Sequence, residues 1–287
     1  MTAIVFSIEE FSAFDGAGLR TSVFFKGCPL RCEWCHNPEG QRFGKEYVKA
    51  KNGCIGCGAC LKAAVRANGR TEYTKKSAAA CPKGLIRVCG ADYTPARLAE
   101  KLNKNAEILS GGGITFSGGG ITFSGGEPLC QTDFIVETVS LLDPRLNVAL
   151  QTSGYAPEET FKKSLGACDF VLYDLKIADR AGFKKYCGGD AEIVLSNYFA
   201  LAKSGVPFVT RVPLIPAVTD TPENLGSIAK IIARAGATRA ELLPYNRFAG
   251  GKYASLGRKY SPSFDESAPP SPHTEIFEKY GVKAVVL

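Results

Sequence analysis

Strand-like and helical segments alternate along most of the chain. Short apolar runs fall at 19–25, 121–123, 146–150, 170–174, 207–212 and 240–243, with another at 283–287, and helical patterns lie between most of them. The clearest helix begins at Thr221, has Pro222 at its first position and ends at Gly236. This alternation is typical of an α/β fold built on a parallel sheet. We therefore expect functional side chains at the carboxyl ends of the strands.

The alternation stops between 48 and 92. Gly, Lys and spaced Cys replace the strand and helix periodicities there, and the segment contains five of the eleven cysteines. We interpret it as an inserted small domain, so that 1–47 and 93–287 form the main domain and 48–92 the insert. A second irregular segment, 247–272, is rich in Gly and Pro and too long for an ordinary connection. It indicates either a lid or binding loop, or a mobile segment.

The heptapeptide SGGGITF occurs twice in tandem, at 110–116 and 117–123. A repeat this short is not a solenoid unit, and a parallel sheet has room for one strand at this point. The second copy adjoins the Ser124-Gly125-Gly126-Glu127 sequence. We therefore predict that 121–123 forms the strand and that the other copy loops out.

Composition excludes several classes of protein. Hydrophobic residues make up 45% and charged residues 22%, which is typical of a globular chain. The net charge of +7 is too weak and too scattered to indicate nucleic acid without a motif. No apolar run approaches the roughly 18 residues of a membrane span, and Glu9 and Glu10 follow the apolar stretch 3–8 where a secretory signal would be cleaved. We expect a cytoplasmic protein, in which clustered cysteines bind metal rather than form disulfides.

Cys28, Cys32 and Cys35 form a C-x3-C-x2-C motif directly after a predicted strand. Three thiolates at this spacing hold three irons of a [4Fe-4S] cluster and leave the fourth iron open for substrate chemistry. A zinc site and buried inert thiols are the alternatives, although a structural zinc site requires four ligands. His36 and His273 are the only histidines, so sulfur must carry the metal chemistry.

A second group comprises Cys54, Cys57, Cys60 and the Cys81-Pro82 pair. In two-cluster ferredoxins each C-x2-C-x2-C run supplies three ligands to one cluster, and its trailing Cys-Pro ligates the other cluster. Ala64 occupies the trailing position of the first run, and the second run keeps only Cys81. The pattern therefore predicts one auxiliary [4Fe-4S] cluster, with a four-cysteine zinc site as the alternative. Cys89 is the substitute if Cys81 is not a ligand, and an assay for iron against zinc separates the two metals.

The run FDGAGLRTSVFFKGCPLRCEWCHNPEG, at 14–40, closely resembles the opening of the glycyl-radical-enzyme activating enzymes, a branch of the radical S-adenosylmethionine (SAM) superfamily. The resemblance continues in order at four further motifs, which are SGGEP at 124–128, QTSG at 151–154, DLK at 174–176 and LPY at 243–245. Each motif lies at or just after the end of a predicted strand. The resemblance thus extends over nearly the whole chain.

This resemblance implies a fold and a reaction. The fold is a partial, open (β/α)6 barrel of the radical SAM type with a small ferredoxin-like iron–sulfur insert. The enzyme, an oxidoreductase, would cleave SAM reductively and abstract hydrogen from a glycine Cα of a partner glycyl radical enzyme, presented on its C-terminal glycine loop. Methionine, 5′-deoxyadenosine and a glycyl radical would result. Reduced flavodoxin or ferredoxin would supply the electron, and exposed clusters imply an oxygen-sensitive protein that works anaerobically.

The resemblance also implies the residues of the site. Cys28, Cys32, Cys35 and Lys176 would be catalytic. SAM would contact residues in the cysteine loop and at the strand ends, namely Trp34, Cys35, His36, Gly125, Gly126, Glu127, Thr152, Ser153, Asp174, Leu175, Lys176 and Asn246. Gly125 and Gly126 would admit the methionyl end of SAM, and Glu127 would accept from its ammonium group. Many relatives have His where this chain has Asn246, which cannot titrate.

Two further expectations concern partners and alternatives. Asp15, Gly16, Gly18 and Arg20 match the opening loop of the family and would either dock the glycine loop of the partner or form a tight turn. The first alternative function is radical SAM chemistry on a small molecule or nucleotide. The second is an iron–sulfur electron carrier or binding module without turnover. Neither nucleic acid nor a membrane is expected as a partner.

Overall fold

The computed structural model describes residues 1–67, 70–111 and 119–287. The strands are β1 (Ala3–Ser12), β2 (Arg20–Phe25), β3 (Glu46–Lys49), β4 (Val65–Ala67), β5 (Arg70–Glu72), β6 (Ile86–Cys89), β7 (Ala91–Tyr93), β8 (Gly120–Gly125), β9 (Asn147–Thr152), β10 (Phe170–Asp174), β11 (Phe208–Leu214), β12 (Arg239–Pro244) and β13 (Lys283–Val286). The helices are α1 (Ala59–Lys62), α2 (Lys75–Ala80), α3 (Pro95–Asn103), α4 (Ala106–Leu109), α5 (Thr132–Val139), α6 (Glu158–Leu165), α7 (Arg180–Cys187), α8 (Ala191–Ser204), α9 (Pro222–Arg234), α10 (Ala249–Ser255) and α11 (Thr274–Glu278). Strands and helices alternate after β8, as the sequence predicts.

One nine-stranded sheet organises most of the chain. Its strand order is β13-β12-β11-β10-β9-β8-β2-β1-β7, and β2 and β8 to β13 run parallel. β1 pairs antiparallel with β2 and with β7, an edge that the apolar pattern does not predict. In the part of the chain that is described, β13 and β7 remain unpaired with each other, so the barrel is open. The expected partial barrel is confirmed, with β13 as a seventh parallel strand.

Burial and helix caps explain why these segments form their elements. All six residues of β2 are buried, as expected for a strand covered on both faces. α9 begins as predicted, since the Thr221 hydroxyl accepts from the Asn224 N–H at 3.3 Å and Pro222 occupies the first turn. Leu225 and Ile228 then face the core. No helix among the described residues is long and apolar enough to cross a membrane.

The second copy of the duplicated heptapeptide forms β8. Gly120–Gly125 pairs with β2 on one side and β9 on the other, which confirms the predicted strand at 121–123. Most of the first copy lies outside the described residues. Gly119 comes so close to the carbonyls of Leu19 and Leu109 that a Cβ atom there would lie 2.2 and 2.5 Å from their oxygens. The chain therefore returns at Gly119 to the point it left at Leu109.

The cysteine-rich segment folds around a small apolar cluster. Its elements are the antiparallel pairs β3–β6 and β4–β5 and the short helices α1 and α2. Cys60, Tyr73 and Ile86 form a buried cluster that is separate from the main core. The second irregular segment contains the helix α10. Its Gly250 and Gly251 have low helix propensity, so the sequence does not predict it.

Candidate active site

Four neighbouring strand ends build the candidate site. Parallel pairing places Phe25 beside Gly125, Phe123 beside Leu150 and Thr152 beside Tyr173. The segments that follow these strands therefore emerge at one edge of the sheet. They carry, in sheet order, the cysteine loop, the Gly-Gly-Glu turn, the Thr-Ser pair and the Asp-Leu-Lys segment. The structure thus brings together the motifs that the sequence predicts to meet.

The loop that carries Cys28, Cys32 and Cys35 is fixed by backbone hydrogen bonds. The Gly27 N–H donates to the Gly40 carbonyl at 2.7 Å, and the Cys35 N–H donates to the Cys32 carbonyl at 3.1 Å. The Arg31 N–H reaches the Cys187 carbonyl at 2.8 Å and ties the loop to α7. The three thiols are free and partly buried, so their spacing is set by the chain and not by a disulfide.

The thiols of this loop lie close enough to influence one another. Burial raises the pKa of Cys35 to about 11, with a further contribution from Cys32. The pKa of Cys28 is raised by burial, then by Glu127 and Cys32. A hydrogen bond with Cys187, together with burial, raises the pKa of Cys32. These surroundings favour the protonated form of all three thiols, so binding an iron–sulfur group here would release protons.

The residues around this loop fit an iron–sulfur cluster with SAM. Among the described residues, no group of three or more His, Cys, Asp or Glu side chains surrounds a position for a single metal ion. Cys28, Cys32 and Cys35 nevertheless lie on one loop, and three thiolates are the donor set of a cluster with one open iron. A buried carboxylate oxygen, Asp174 Oδ1, has no hydrogen-bond partner and lies beside Lys176 at the same edge. It provides the unpaired acceptor that an amino group requires.

Glu127 is completely enclosed by donors of its own chain. Its Oε2 accepts from the Ser153 N–H at 3.0 Å and from the Ser153 hydroxyl at 2.5 Å. Its Oε1 accepts from the Leu129 N–H at 3.2 Å and from the Thr152 hydroxyl. Burial raises the pKa of Glu127, although these donors oppose the shift. In this structure Thr152 and Ser153 hold Glu127, and Glu127 in turn joins the turn after β8 to the end of β9.

Gly125 and Gly126 are required by close backbone packing. A Cβ on Gly125 would lie 2.2 Å from the Phe25 nitrogen, and one on Gly126 would lie 2.4 Å from the carbonyl oxygens of Gly27 and Gly40. Gly125 also has φ of +123°, which disfavours other residues. The Gly126 N–H donates to the Phe25 carbonyl at 2.8 Å. The two glycines therefore seat the cysteine loop against the sheet, a role the sequence alone does not show.

Asp174 and Lys176 form an ion pair at the end of β10. Their Oδ2 and Nζ atoms are 2.8 Å apart, and both side chains are mostly buried. Burial lowers the pKa of Lys176, but Asp174 and then Cys32 more than offset it, so the pKa is raised overall. Lys176 is thus a cation near the cysteine loop. The side chain of Leu175 points into the main core, which leaves only its backbone for a ligand.

Trp34, His36 and Asn246 occupy different surroundings. Trp34 is buried in the main core. Burial, and then Lys252, lower the pKa of His36, whereas a hydrogen bond with the Asn246 side chain opposes the shift. Asn246 also accepts from the Phe248 N–H at 2.9 Å. Asn246 therefore positions His36 and the start of α10, and both residues stay at the exposed side of the site.

Arg20 is buried against the sheet, contrary to one of the two expectations for the opening loop. Its guanidinium donates to the Thr122 hydroxyl and the Ile121 carbonyl at 2.7 Å each, and it is 1% exposed. It lies where β8 and β9 begin, at the end of the sheet opposite the cysteine loop. Asp15 accepts from the Ser22 hydroxyl at 2.6 Å. Gly16 and Gly18 both have positive φ, so this segment is a tight turn tied to the sheet.

The second cysteine group also converges. Cys54, Cys57, Cys60 and Cys81 line one small cavity, whereas Cys89 lines a different one. The Leu85 N–H donates to the Cys81 sulfur at 3.4 Å, the type of hydrogen bond that a ligand thiolate receives. Gly56 and Gly58 have positive φ and make the turns between the first three cysteines. Four thiols at one cavity match the number of ligands that a closed [4Fe-4S] cluster requires.

Comparisons with known proteins identify the family. Residues 14–179 match the family described as a 4Fe-4S single cluster domain. The chain is 32% identical over 280 residues to the choline trimethylamine-lyase activating enzyme of Oleidesulfovibrio alaskensis, covering 90% of this chain and 88% of that enzyme. It is 35% identical over 296 residues to the (2S)-3-sulfopropanediol sulfolyase activating enzyme of Bilophila wadsworthia, covering 90% of each. The chain belongs to the glycyl-radical-enzyme activating enzymes.

A comparison with solved structures supports the fold. A radical SAM methyltransferase from Sphaerobacter thermophilus superimposes with a TM-score of 0.56 over 99% of this chain and 76% of its own length, at 12% identity. Membership of the family makes the chain a radical SAM oxidoreductase that uses an iron–sulfur cluster and SAM to generate a glycyl radical in a partner enzyme. The predicted family, fold class and activity are confirmed.

The activating enzyme also has site residues that the sequence does not reveal. Cys187 ends α7, is fully buried and hydrogen-bonds Cys32. Gln41 hydrogen-bonds the Cys35 thiol. Lys252, on α10, donates to the Asn37 side chain at 2.7 Å and pairs with Glu39. No local motif marks these residues. Cys187 and Lys252 reach the loop from distant parts of the chain, and Gln41 contacts Cys35 through the fold of the loop itself.

Proposed function

We propose that Cys28, Cys32 and Cys35 hold the [4Fe-4S] cluster that cleaves SAM, and that the adjacent strand ends hold SAM itself. One observation carries this proposal. At the edge of the sheet that carries the three thiols, Asp174 presents a buried carboxylate oxygen without a hydrogen-bond partner beside the cation Lys176. Such an acceptor and cation match the ammonium and carboxylate groups of an amino acid. When bound, the cluster supplies one electron to the sulfonium of SAM.

The surrounding residues orient the substrate and exclude water. Asp174 accepts from the amino group of SAM, and Lys176 keeps the Asp174 carboxylate in place while its charge faces Cys32. Glu127, held by Thr152 and Ser153, fixes the turn on which the Gly126 backbone approaches the loop. Trp34 closes the apolar side, and His36 with Asn246 borders the opening. These contacts keep other hydrogen donors away from the reacting carbon.

We further propose that residues 48–92 form a separate domain that binds one auxiliary [4Fe-4S] cluster through Cys54, Cys57, Cys60 and Cys81. The cavity shared by the four thiols and the Leu85 N–H bond to sulfur support this assignment. The partner presents its glycine on its C-terminal glycine loop, and the electron donor is reduced flavodoxin or ferredoxin. Neither nucleic acid nor a membrane enters the proposal.

Anaerobic reconstitution tests the proposal. The protein is loaded with iron and sulfide, reduced with dithionite in the presence of SAM, and assayed for 5′-deoxyadenosine and for iron and zinc per chain. We expect about eight irons and product formation. The Cys32→Ala variant loses product, and quenching of the lone Trp34 by the first cluster is lost as well. The Cys57→Ala variant retains about four irons.

Four results would contradict specific parts of this proposal. About four irons in the wild type would remove the auxiliary cluster. Zinc at the second group would replace it with a structural metal. Full iron without SAM cleavage would point to a carrier without turnover. If the enzyme instead acted on a small molecule, 5′-deoxyadenosine would form, but adding a glycyl radical enzyme would not increase its formation and no glycyl radical signal would appear.

A further inference from the structure

The net charge of the chain is concentrated in the insert. The whole chain has 35 Lys and Arg and 28 Asp and Glu, of which nine and two respectively fall within 48–92, leaving 26 of each in the rest. The positive excess, which the net charge alone does not locate, is therefore concentrated in one segment and not scattered along the chain. A main domain without net charge carries a strongly basic insert, and a field of this kind attracts an acidic partner.

The insert does not neutralise this charge internally. Its two acidic residues, Glu72 and Asp92, pair with Arg42 and Lys45, which lie outside 48–92. In the described part of the chain, none of the nine insert cations forms an ion pair. Eight of the nine are exposed, and Lys49 is half-buried. Their charge is available to another molecule.

The second cysteine group lies at the centre of this basic surface. Lys49 and Lys83 line the same cavity as the four cysteines. Lys62 follows two residues after Cys60 on α1. Cys54 and Cys57 are exposed, unlike the thiols of the SAM site. These two thiols are therefore accessible to a redox partner at the surface.

Apolar side chains accompany the exposed thiols. Ile55, between Cys54 and Cys57, is 61% exposed and lines the same cavity, and Leu61 on α1 is 47% exposed. An apolar centre with a charged rim is the usual anatomy of a protein interface. Redox partners use small interfaces of this type, in which charge steers a brief encounter. Nucleic-acid binding depends mainly on cations that contact phosphates, and exposed thiols and aliphatic side chains at the centre of the surface do not contribute to such contacts.

We propose that this basic face of the insert, centred on Cys54 to Cys60 and rimmed by Lys49, Lys62 and Lys83, is the docking surface for an acidic one-electron carrier protein. The inference rests on the proposed auxiliary cluster. In the encounter the reduced carrier loses one electron, the iron–sulfur group held by the four cysteines gains it, and no proton or atom is transferred. The carrier and the glycyl radical enzyme would then bind at different surfaces, and the edge of the sheet would remain free for the glycine loop.

Charge reversal on the holoenzyme tests the docking surface. The Lys62→Glu/Lys83→Glu double variant is compared with a Lys203→Glu/Lys279→Glu control, which has the same net charge and changes exposed lysines outside the insert. Binding of a recombinant acidic bacterial ferredoxin is measured in 50 to 200 mM salt. We expect the insert variant to bind about tenfold more weakly or worse, and the control to stay near the wild type.

A second variant and a second reductant keep the outcome interpretable. The Lys75→Glu/Lys76→Glu change places acidic residues in the first turn of α2, where they are well tolerated, and should also weaken binding. Product formation with photoreduced deazaflavin should be equal in all variants, since this small reductant needs no docking. Loss of product with deazaflavin in the wild type would refute the proposed function instead.

The proposal is wrong if both insert variants bind the ferredoxin as tightly as the control. It is also wrong if random duplex DNA competes with the ferredoxin at equal concentration, because the basic face would then bind nucleic acid. If weakened binding leaves the rate of ferredoxin-driven 5′-deoxyadenosine formation unchanged, the electron enters elsewhere and the surface has another partner.

Discussion

Replacement of Glu127 by Ala should destabilise the fold more than any single loss of a surface charge. The carboxylate accepts from two buried backbone donors, the N–H groups of Leu129 and Ser153, and both lose their only acceptor in the variant. An unsatisfied buried donor costs about 1–3 kcal/mol, so two cost roughly 2–6 kcal/mol. The variant recovers part of this free energy, because it no longer buries a carboxylate whose ionisation is opposed by burial. We expect a loss of about 2–3 kcal/mol in the free energy of unfolding.

Urea unfolding of the reduced, metal-free protein measures this loss. The Glu137→Ala variant is the control, since Glu137 is exposed on α5, and it should stay within about 0.5 kcal/mol of the wild type. If Glu127→Ala were also within about 0.5 kcal/mol, the enclosed carboxylate would not organise the edge of the sheet, and direct binding of SAM would be its main role.

The remaining predictions address the ligand, pH and the duplication. Asp174→Asn should weaken SAM binding about tenfold or more in equilibrium dialysis without loss of iron, because a charge-assisted hydrogen bond becomes a neutral one; unchanged affinity would place the amino group of SAM elsewhere. The pKa of Glu127 is raised above its ordinary 4.5, so its contribution to stability is complete at lower pH and is lost as pH rises through the folded pKa. The stability of the wild type relative to Glu127→Gln should therefore fall as pH increases above about 4.5, and a difference that is flat or rises with pH would contradict the shift. Deletion of 110–116 should preserve 5′-deoxyadenosine formation within about twofold, since the second copy alone supplies β8; a larger loss would mean that the duplication supports the fold.

The sequence predicts those features of this enzyme that depend on residues close together in the chain. Cysteine spacing, apolar strands and the polar residues that follow them are all adjacent in the chain, and parallel pairing then brings the strand ends together. The start of α9 at Thr221 was predictable for the same reason, because its cap and its Pro222 are neighbours.

Contacts between distant segments were not predictable. Arg20 has the appearance of a free loop cation, yet its hydrogen bonds to Ile121 and Thr122 bury it. Thr152 and Ser153 resemble ligand-binding residues, but they satisfy Glu127. Cys187 carries no motif and reaches Cys32 only because α7 packs against the cysteine loop. In each case burial selects the partner, and burial is a property of the fold.

The duplicated heptapeptide marks a place where chain length is free to vary. Leu109 and Gly119 are neighbours at the beginning of β8, so the segment between them spans almost no distance. Doubling the length of such a connection costs only about 0.6 kcal/mol of closure entropy. The proposed SAM site lies at the opposite end of the sheet. This position therefore suits an affinity tag or a surface tether, by which the enzyme can be immobilised with its thiols and its opening still facing solution.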